Sequence, residues 1–308
     1  MSRYDAVLLI AFGGPDRMED VRPFLANVLL GRTVQPERIE EVVHHYEVFD
    51  GHSPLTELTH RQAEALQADL AARGPRIPVY VGMRNWTPYL HEGLARMRAD
   101  GVRHALGIVM GPHRSYSSYE QYQENVAEAR VRVGEGAPAV DYLGPWFDHP
   151  GFIEAQADRI ATAMSAVPAG HRERTTLIFT AHSLPSAMAA KAPYAGQLAA
   201  SAGLVAARLQ HPRWSLAYQS RSGDPRTPWL DPDINDVIRS LGRDGERAVV
   251  VAPIGFVCDH IEVLYDLDTE ARETAGRSGV AFHRAGTVMD HPAFIRMLGD
   301  LVRARAVA

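Results

Sequence analysis

The sequence predicts an α/β protein made of two similar domains, each with a four-stranded parallel sheet flanked by helices. Short apolar runs alternate with longer helical patterns along the chain, and the runs number four in each half. Two short motifs of the first half also recur in the second half. Strands that alternate with helices are typical of parallel α/β architecture, because a crossover helix joins each strand to the next. A chain of 308 residues is long enough for two such domains.

The predicted strands are apolar runs of four to six residues. Runs of this length, bounded by turn residues, are typical of strands buried on both faces of a parallel sheet. Longer segments with helical periodicity lie between them, such as 55–73 and 124–133. The predicted strands are 6–11, 78–82, 105–110 and 139–143 in the first half, and 176–181, 215–219, 248–252 and 280–283 in the second.

A weak internal repeat supports the division into two halves. The sequence DHPGFI at 148–153 recurs as DHPAFI at 290–295, and IVMGP at 108–112 lies at the same offset from VVAPI at 250–254. A capping Asp followed by Pro in the first helical turn is also common by chance. Two matches at one offset nevertheless favour duplicated halves. The predicted domains are 1–150 and 151–308.

Composition and charge exclude several classes of partner and cofactor. The formal net charge is −5 without a basic block, so binding to nucleic acid or to an anionic membrane has no electrostatic support. Cys258 is the only cysteine, which excludes an intramolecular disulfide and a cluster held by about four thiolates of one chain. The first apolar run, 6–12, is far shorter than the roughly 20 residues of a membrane-spanning helix and lacks a signal-peptide cleavage pattern. We expect a cytoplasmic protein without an integral membrane segment.

Unusual residues follow the predicted strands, at the edge where open parallel sheets bind ligands. The dinucleotide fingerprint, the Walker phosphate loop and the GxSxG nucleophile elbow are absent from the sequence. A cleft lined by aromatic, polar and metal-binding side chains is therefore expected. The segments are FGGP at 12–15, MRNW at 83–86, PHRSYSS at 112–118, HSLP at 182–185, QSRSG at 219–223 and FVCDH at 256–260.

His182 directly follows one of these strands, and Pro185 prevents the chain from continuing as a strand. An imidazole has a pKa of about 6.5, so it can accept a proton or bind a metal at cytoplasmic pH. A histidine at this place can also be hydrogen-bonded within a turn and do nothing more. Both interpretations remain open from the residues alone.

A row of carboxylates lies further along the chain. Glu262, Asp266 and Glu270 recur every four residues and so share one face of a helix. Like charges at this spacing repel, so helix stability does not favour the pattern. Hydrated ferrous iron or departing protons would use such a row leading towards a histidine. Alternatively, Asp259 and Glu262 form a capping box on a surface helix.

In seven segments, taken in order, the chain resembles the ferrochelatase family of class II chelatases. The resemblance covers nearly the whole chain. It implies two Rossmann-like, chelatase-type domains and an enzyme that inserts Fe²⁺ into a porphyrin during heme biosynthesis. The matching segments are AFGGP at 11–15, GHSPL at 51–55, GMRNWTPY at 82–89, AHSLP at 181–185, YQSRSG at 218–223, PWL at 228–230, and the stretch from PIGF at 253–256 to Asp268.

The resemblance implies that His182 and Glu262 are the catalytic residues. His182 would face the porphyrin centre, and Glu262 would lie opposite it. Asp266 and Glu270 would continue the acidic helix that passes metal or protons, so all four side chains are expected to contact iron. A neutral histidine can accept the pyrrole protons that the porphyrin must lose. Oxygen and nitrogen ligands hold Fe²⁺ loosely enough to release it.

The resemblance also implies a set of porphyrin-binding residues. Phe12 and Trp86 would pack against the ring face. Ser53 and Tyr122 match family positions that hydrogen-bond propionates, and Arg32 lies near that wall. Each has a structural alternative, since Trp86 can belong to the core and Tyr122 to an amphipathic helix.

Three departures qualify the resemblance. Phe12 stands where several members of the coproporphyrin branch carry a tyrosine able to ligate iron, and His45 stands where some relatives carry arginine. Some relatives also hold a [2Fe–2S] cluster on cysteines that this chain lacks. We expect no cluster and no cofactor beyond the substrate Fe²⁺, with porphyrin or heme product able to copurify.

The expected substrate is coproporphyrin III and the expected product is coproheme. Segments 84–89 and 219–223 look most like those of Gram-positive bacterial relatives that use this four-propionate porphyrin. A polar pocket suits propionates, because charge-assisted hydrogen bonds are strong. Phe12 and the apolar pair Leu29-Leu30, which could cover vinyl groups, favour the alternative, protoporphyrin IX with protoheme as product.

Two further alternatives are less favoured. A cobalt or nickel chelatase usually presents more than one histidine to the metal, whereas the partner of His182 is Glu262. A non-catalytic tetrapyrrole-binding protein needs no acidic row. The expected partners are the porphyrin, Fe²⁺ and a downstream heme-synthesis enzyme, with no nucleic acid.

Overall fold

Two four-stranded sheets organise the chain in this computed structural model, which describes residues 3–31, 34–222 and 226–307. All pairings between the strands of these two sheets are parallel, so the α/β fold class predicted from the sequence is confirmed. The strands are β1 (Ala6–Ala11), β2 (Val79–Met83), β3 (His104–Val109), β4 (Ala139–Tyr142), β5 (Thr176–His182), β6 (Trp214–Gln219), β7 (Ala248–Ala252) and β8 (Ala281–Arg284). The strand order is β2-β1-β3-β4 in the first sheet and β6-β5-β7-β8 in the second.

Helices connect the strands, as parallel pairing requires. One connection contains a π-helix, Leu264–Ala271, between α10 and α11, and short 3₁₀ turns lie at Tyr116–Ser118 and Ala169–Arg174. The helices are α1 (Met18–Val28), α2 (Pro36–Glu47), α3 (Leu55–Arg73), α4 (Leu90–Ala99), α5 (Glu120–Val133), α6 (Pro150–Ser165), α7 (Ser186–Ala189), α8 (Tyr194–Arg208), α9 (Ile234–Arg243), α10 (Ile261–Val263), α11 (Arg272–Arg277) and α12 (Pro292–Val307).

The first sheet forms the core of one compact unit. Every residue of β1 is buried, because apolar side chains on both of its faces are covered by helices. On one face, Leu8 and Ile10 pack with Leu94 and Met97 of α4 and with Val126 of α5. This unit comprises Met1–Gly111, Tyr116–Pro145 and Met289–Ala308.

The last helix of the chain belongs to this first unit. The predicted bounds of 1–150 and 151–308 treat each half as continuous, whereas the structure returns Met289–Ala308 to the first unit. The reason is the packing of α12 against α3. Gln62 of α3 donates to the carbonyl of Met289 at 2.9 Å, and Arg303 of α12 forms an ion pair with Asp69 at 3.2 Å.

The second sheet forms the core of the other unit, Pro112–Ser115 and Trp146–Val288. Ile178 of β5 and Val251 of β7 pack with Ile238 of α9 on one face of this sheet. Val263 and Leu267 from the α10 and π-helix connection join the same cluster. The connection is therefore fixed to the sheet by its apolar side, which leaves its polar side for other contacts.

The internal repeat has a structural counterpart, although a different residue caps the helices. His149 precedes α6 and its Nδ1 accepts from the backbone N–H of Gly151 at 3.1 Å. His291 precedes α12 and accepts from Ala293 in the same way at 3.2 Å. The sequence predicted that the aspartate of DHP caps the helix. In both helices the capping residue is instead the histidine one position later. Across the described residues, no helix combines the length and the apolar character needed to cross a membrane.

Candidate active site

The candidate site lies in the second unit, at the carboxyl ends of β5 and β6. His182 is the last residue of β5 and stands in register with Gln219, the last residue of β6. The loop after β7 approaches the same edge, where Gly255 donates its N–H to the carbonyl of Thr180 at 3.1 Å. A β-carbon on Gly255 would lie 2.6 Å from the Cβ of Ala181, so only glycine fits this approach. The next residues lead directly into α10 and the acidic residues.

His182 has one ring nitrogen fixed and the other directed towards Glu262. Its Nδ1 donates to the carbonyl of Ser183 at 2.5 Å, which assigns the proton of the neutral ring to Nδ1. Its Nε2 lies 3.8 Å from Oε1 of Glu262. Tyr194 of α8 donates its hydroxyl to the backbone carbonyl of His182 at 3.0 Å and so fixes the main chain there. The hydrogen bond within the turn therefore uses Nδ1, whereas proton or metal binding would use Nε2. The two interpretations of His182 do not exclude each other.

The acidic row forms across α10 and the π-helix that follows it, with unequal exposure of its side chains. An α-helix was the expectation for all three residues. Glu262 lies in α10, whereas Asp266 and Glu270 lie in Leu264–Ala271, which adopts π geometry. The wider i→i+5 turn keeps residues four apart near one line. Glu262 is half-buried, Asp266 is buried with 8% of its surface exposed, and Glu270 is exposed.

Asp266 is enclosed by residues from the end of β6. Ser220 donates its hydroxyl to Oδ2 of Asp266, and Gln219 donates its side-chain N–H to the same oxygen at 3.4 Å and to the carbonyl of Glu262 at 3.0 Å. Burial raises the pKa of Asp266 to about 8, and the charges of Glu262 and Glu270 add to this effect. Asp266 therefore holds a proton at neutral pH.

The capping-box alternative is wrong for this helix. The residue before α10 is His260, and no side-chain hydrogen bond caps the first turn. The Asp259 carboxylate instead binds Arg284 through hydrogen bonds of 3.1 and 3.2 Å. The Glu262 side chain is thus left beside His182.

His260 is a site residue that the sequence analysis missed as a candidate. Its ring packs edge-on against Phe256, with 4.5 Å between the ring centroids. Burial lowers the pKa of His260, although the charges of Glu262 and Asp259 oppose this effect. The position directly beside Asp259 in the FVCDH segment was the available signal.

The predicted ring-binding aromatics lie in the first unit. Phe12, directly after β1, has 36% of its surface exposed. Phe24 contacts both Phe12 and Trp86 edge-on, with centroid distances of 6.2 Å in each case. The Phe12 carbonyl also accepts from the N–H of Asn85 at 2.9 Å. Phe12 and Trp86 therefore belong to one aromatic cluster, with Phe12 at its exposed end.

The predicted propionate-binding residues are mostly buried. Ser53 has 2% of its surface exposed, and its backbone N–H donates to the carbonyl of Pro15 at 2.9 Å. Tyr122 has 9% exposed and packs in the core on α5, beneath the guanidinium of Arg84 at 5.6 Å from the ring centroid. Arg32 lies outside the described residues.

The described residues hold no preformed metal-binding cluster. Among the described residues, no three His, Cys, Asp or Glu side chains are arranged to hold a metal ion. His182 and Glu262 thus offer a nitrogen and an oxygen donor as a pair. Such a pair leaves further coordination positions for donors that a substrate supplies.

Comparisons with known proteins agree on one family. The sequence model described as Ferrochelatase matches residues 4–306. The coproporphyrin III ferrochelatase of Mycolicibacterium smegmatis is 43% identical over 302 residues, which cover 97% of this chain and 89% of that protein. The ferrochelatase of Rhodopirellula baltica is 44% identical over 304 residues, covering 98% of this chain and 86% of that protein.

Solved structures with low sequence identity share the fold. SirB from Bacillus subtilis, solved with Fe³⁺, aligns with a TM-score of 0.62 at 11% identity, covering 98% of this chain and 95% of that one. A multi-domain protein of Deinococcus radiodurans with structural similarity to chelatases aligns with a TM-score of 0.56 at 17% identity. That match covers 98% of this chain, which spans 54% of the longer protein.

Proposed function

The chain belongs to the ferrochelatase family, and from that premise we propose that it inserts Fe²⁺ into coproporphyrin III to give coproheme. Relatives from Mycolicibacterium smegmatis and Mycobacterium leprae, 43% and 45% identical to this chain, are named coproporphyrin III ferrochelatase. The observation that carries the chemistry is the His182 ring, with Nδ1 bound to a backbone carbonyl and Nε2 directed towards Glu262.

Metal insertion requires the removal of two pyrrole protons from the free-base porphyrin. In the neutral tautomer of His182, Nε2 carries no proton and can accept one from a pyrrole N–H. The imidazolium that results has the Glu262 carboxylate 3.8 Å away, which stabilises its charge. His182 is therefore assigned the role of general base, and Glu262 that of its acidic partner and a metal contact.

The acidic row provides the continuation of this path. Asp266 already holds a proton at neutral pH, because burial raises its pKa to about 8. It must release that proton before it can accept another, and the exposed Glu270 lies one turn further towards solvent. We assign Asp266 and Glu270 to proton or metal transfer.

The first unit is assigned to the porphyrin. The exposed ring of Phe12, supported by Phe24 and Trp86, offers an apolar surface for the macrocycle. Ser53, Tyr122 and Arg32 are assigned to the propionates. Phe12 has no oxygen to ligate iron, so iron would receive no ligand from this residue.

We further propose that the enzyme acts in the cytoplasm without a resident cofactor or iron–sulfur cluster, and that a downstream heme-synthesis enzyme takes its product. The single cysteine, Cys258, supports the absence of a within-chain cluster. One observation favours protoporphyrin IX as a second candidate substrate, namely the side chain of Leu30, which is 84% exposed and could cover vinyl groups.

The test compares kcat/KM for coproporphyrin III and protoporphyrin IX with Fe²⁺ under anaerobic conditions. We expect a preference of at least about tenfold for coproporphyrin III, since about 1.4 kcal/mol from added charge-assisted hydrogen bonds gives that ratio. Co²⁺ and Ni²⁺ serve as competing metals in the same assay. A preference for protoporphyrin IX would overturn the substrate, and stoichiometric porphyrin binding without turnover would overturn the enzymatic assignment.

A further inference from the structure

We propose that Arg284 is a positioning residue that anchors the acidic segment, defined as residues 259–270, and thereby keeps Glu262 beside His182 and Asp266 against the end of β6. The proposal rests on the proposed function, because the consequence is measured on iron insertion. Arg284 ends β8 at the edge of the second sheet, and its guanidinium donates to Asp259, Asp268 and the carbonyl of Ala285 rather than to a predicted site residue. The two aspartates lie on either side of Glu262 and Asp266 in the chain.

Every nitrogen of the Arg284 guanidinium has a defined acceptor. Nε donates to both carboxylate oxygens of Asp268 at 2.8 Å. Nη1 and Nη2 donate to the two oxygens of Asp259 at 3.2 and 3.1 Å. Nη1 also donates to the carbonyl of Ala285 at 3.3 Å. The planar group therefore holds two carboxylates in fixed directions.

The positioning role of Arg284 follows from where these two carboxylates lie along the chain. Asp259 lies three residues before Glu262, and Asp268 lies two residues after Asp266. Arg284 thus fixes the segment at one point before Glu262 and at one point after Asp266. From the other side, Gln219 of β6 binds the carbonyl of Glu262. The segment is held between the ends of two strands that are not neighbours in the sheet.

The acidic segment needs such an anchor for two physical reasons. A π-helix is a rare geometry, usually found where the surroundings impose it. The segment also carries five carboxyl groups within residues 259–270, and the like charges of those that are ionised oppose close packing. The side chains of Arg284 and Asp259 are only 14% and 16% exposed, so their attraction is weakly screened by water.

Lysine cannot take this place. An ammonium group is a point charge with three donors, whereas the guanidinium presents a planar fork to two separate carboxylates. If Arg284 acts by geometry, then Arg284→Lys keeps the charge and still loses the function. If it only neutralises charge, then Arg284→Lys restores it.

The experiment measures iron insertion by wild type, Arg284→Met and Arg284→Lys, with the KM for Fe²⁺ and for coproporphyrin III determined separately. We expect both variants to lose about 10- to 100-fold in kcat/KM for Fe²⁺, the usual cost of removing an outer-shell partner of a metal site. The KM for coproporphyrin III should stay within about twofold, because Arg284 does not lie among the residues assigned to the porphyrin. Arg213→Met is the matched control, since it removes another ion pair of the second unit, with Glu246 at 2.8 Å.

Two further measurements separate positioning from general stability. Hydrogen exchange in Arg284→Met should accelerate at the amides of the π-helix and remain unchanged in β5. The triple variant Arg284→Met, Asp259→Asn, Asp268→Asn removes the unpaired charges, and should recover the Tm of wild type without recovering kcat/KM for Fe²⁺.

Several outcomes would overturn the proposal. Wild-type kinetics in Arg284→Met, rescue by lysine, recovery of activity in the triple variant, or an equal loss in Arg213→Met would each remove the positioning role. A wild-type protein that inserts no iron would overturn the proposed function instead. The hydrogen-exchange comparison would still decide whether Arg284 anchors the segment, because it does not depend on turnover.

Discussion

Replacing Asp266 by asparagine should remove a pH dependence from the stability of the protein. The folded pKa of Asp266 is raised to about 8, from an ordinary value of 3.8, mainly by burial. Between these values the folded state binds a proton that the unfolded state releases. Its contribution to stability is therefore fully present below about pH 4 and is lost as the pH rises through 8. Asparagine resembles the neutral acid in shape and cannot ionise, so the variant lacks this loss.

The size of the effect follows from the shift in pKa. One pKa unit corresponds to about 1.4 kcal/mol, so the free energy of unfolding of wild type should fall by roughly that amount per pH unit within the window. Between pH 6 and pH 8 the expected loss is about 2 kcal/mol relative to Asp266→Asn. Asp266 is only 8% exposed, so solvent screening reduces this figure little.

The assay is urea unfolding of wild type and Asp266→Asn at pH 6, 7 and 8. The difference between the two free energies cancels the contributions of other titrating groups, such as His260, that both proteins share. Glu273→Gln is the control, because Glu273 is an exposed residue of the neighbouring helix α11 whose partner is Arg277. A stability difference that stays constant from pH 6 to pH 8 would refute a protonated Asp266 in the folded state.

Three further predictions concern the proposed chemistry. His182→Gln should lower kcat for iron insertion by about 10²- to 10⁴-fold, because this is the usual cost of losing a general base. Its coproporphyrin affinity, measured by fluorescence titration, should be retained, and near-normal turnover would remove His182 from this role. Glu262→Gln should lower kcat. The Tm should stay unchanged, because no capping hydrogen bond depends on the Glu262 side chain. A variant with reduced Tm and full turnover would contradict the assignment. Cys258→Ser should retain activity, and iron and sulfide analysis of the wild-type protein should find no stoichiometric cluster; an absorbing cluster would contradict this.

The strands and the position of His182 could be predicted because they depend on local pattern. Short apolar runs dictate buried strands, and the residue that ends such a run lies at the sheet edge by geometry alone. The predicted strand ended at residue 181, directly before His182. In the structure β5 extends one residue further, so His182 is its last residue. The periodicity of Glu262, Asp266 and Glu270 likewise identified a helical face.

The remaining features depend on pairings that no local pattern encodes. The two partners of Arg284 lie 16 and 25 positions away in the chain, so their ion pairs arise only when β8 is placed beside the acidic segment. The burial of Asp266 similarly follows from Gln219 and Ser220, which reach it from the carboxyl end of β6. The π geometry was also not predictable, since a four-residue spacing is compatible with an α-helix.

The return of α12 to the first unit has a consequence for the order in which the protein can fold during synthesis. The second unit is complete once Val288 has left the ribosome, whereas the first unit still lacks the helix that packs on α3. The N-terminal segment also binds this helix, since the backbone N–H of Arg3 donates to the carbonyl of Ala306 at 3.2 Å. The half that is translated first is therefore the half that is finished last, and until α12 arrives its α3 surface stays uncovered and open to association with other nascent chains.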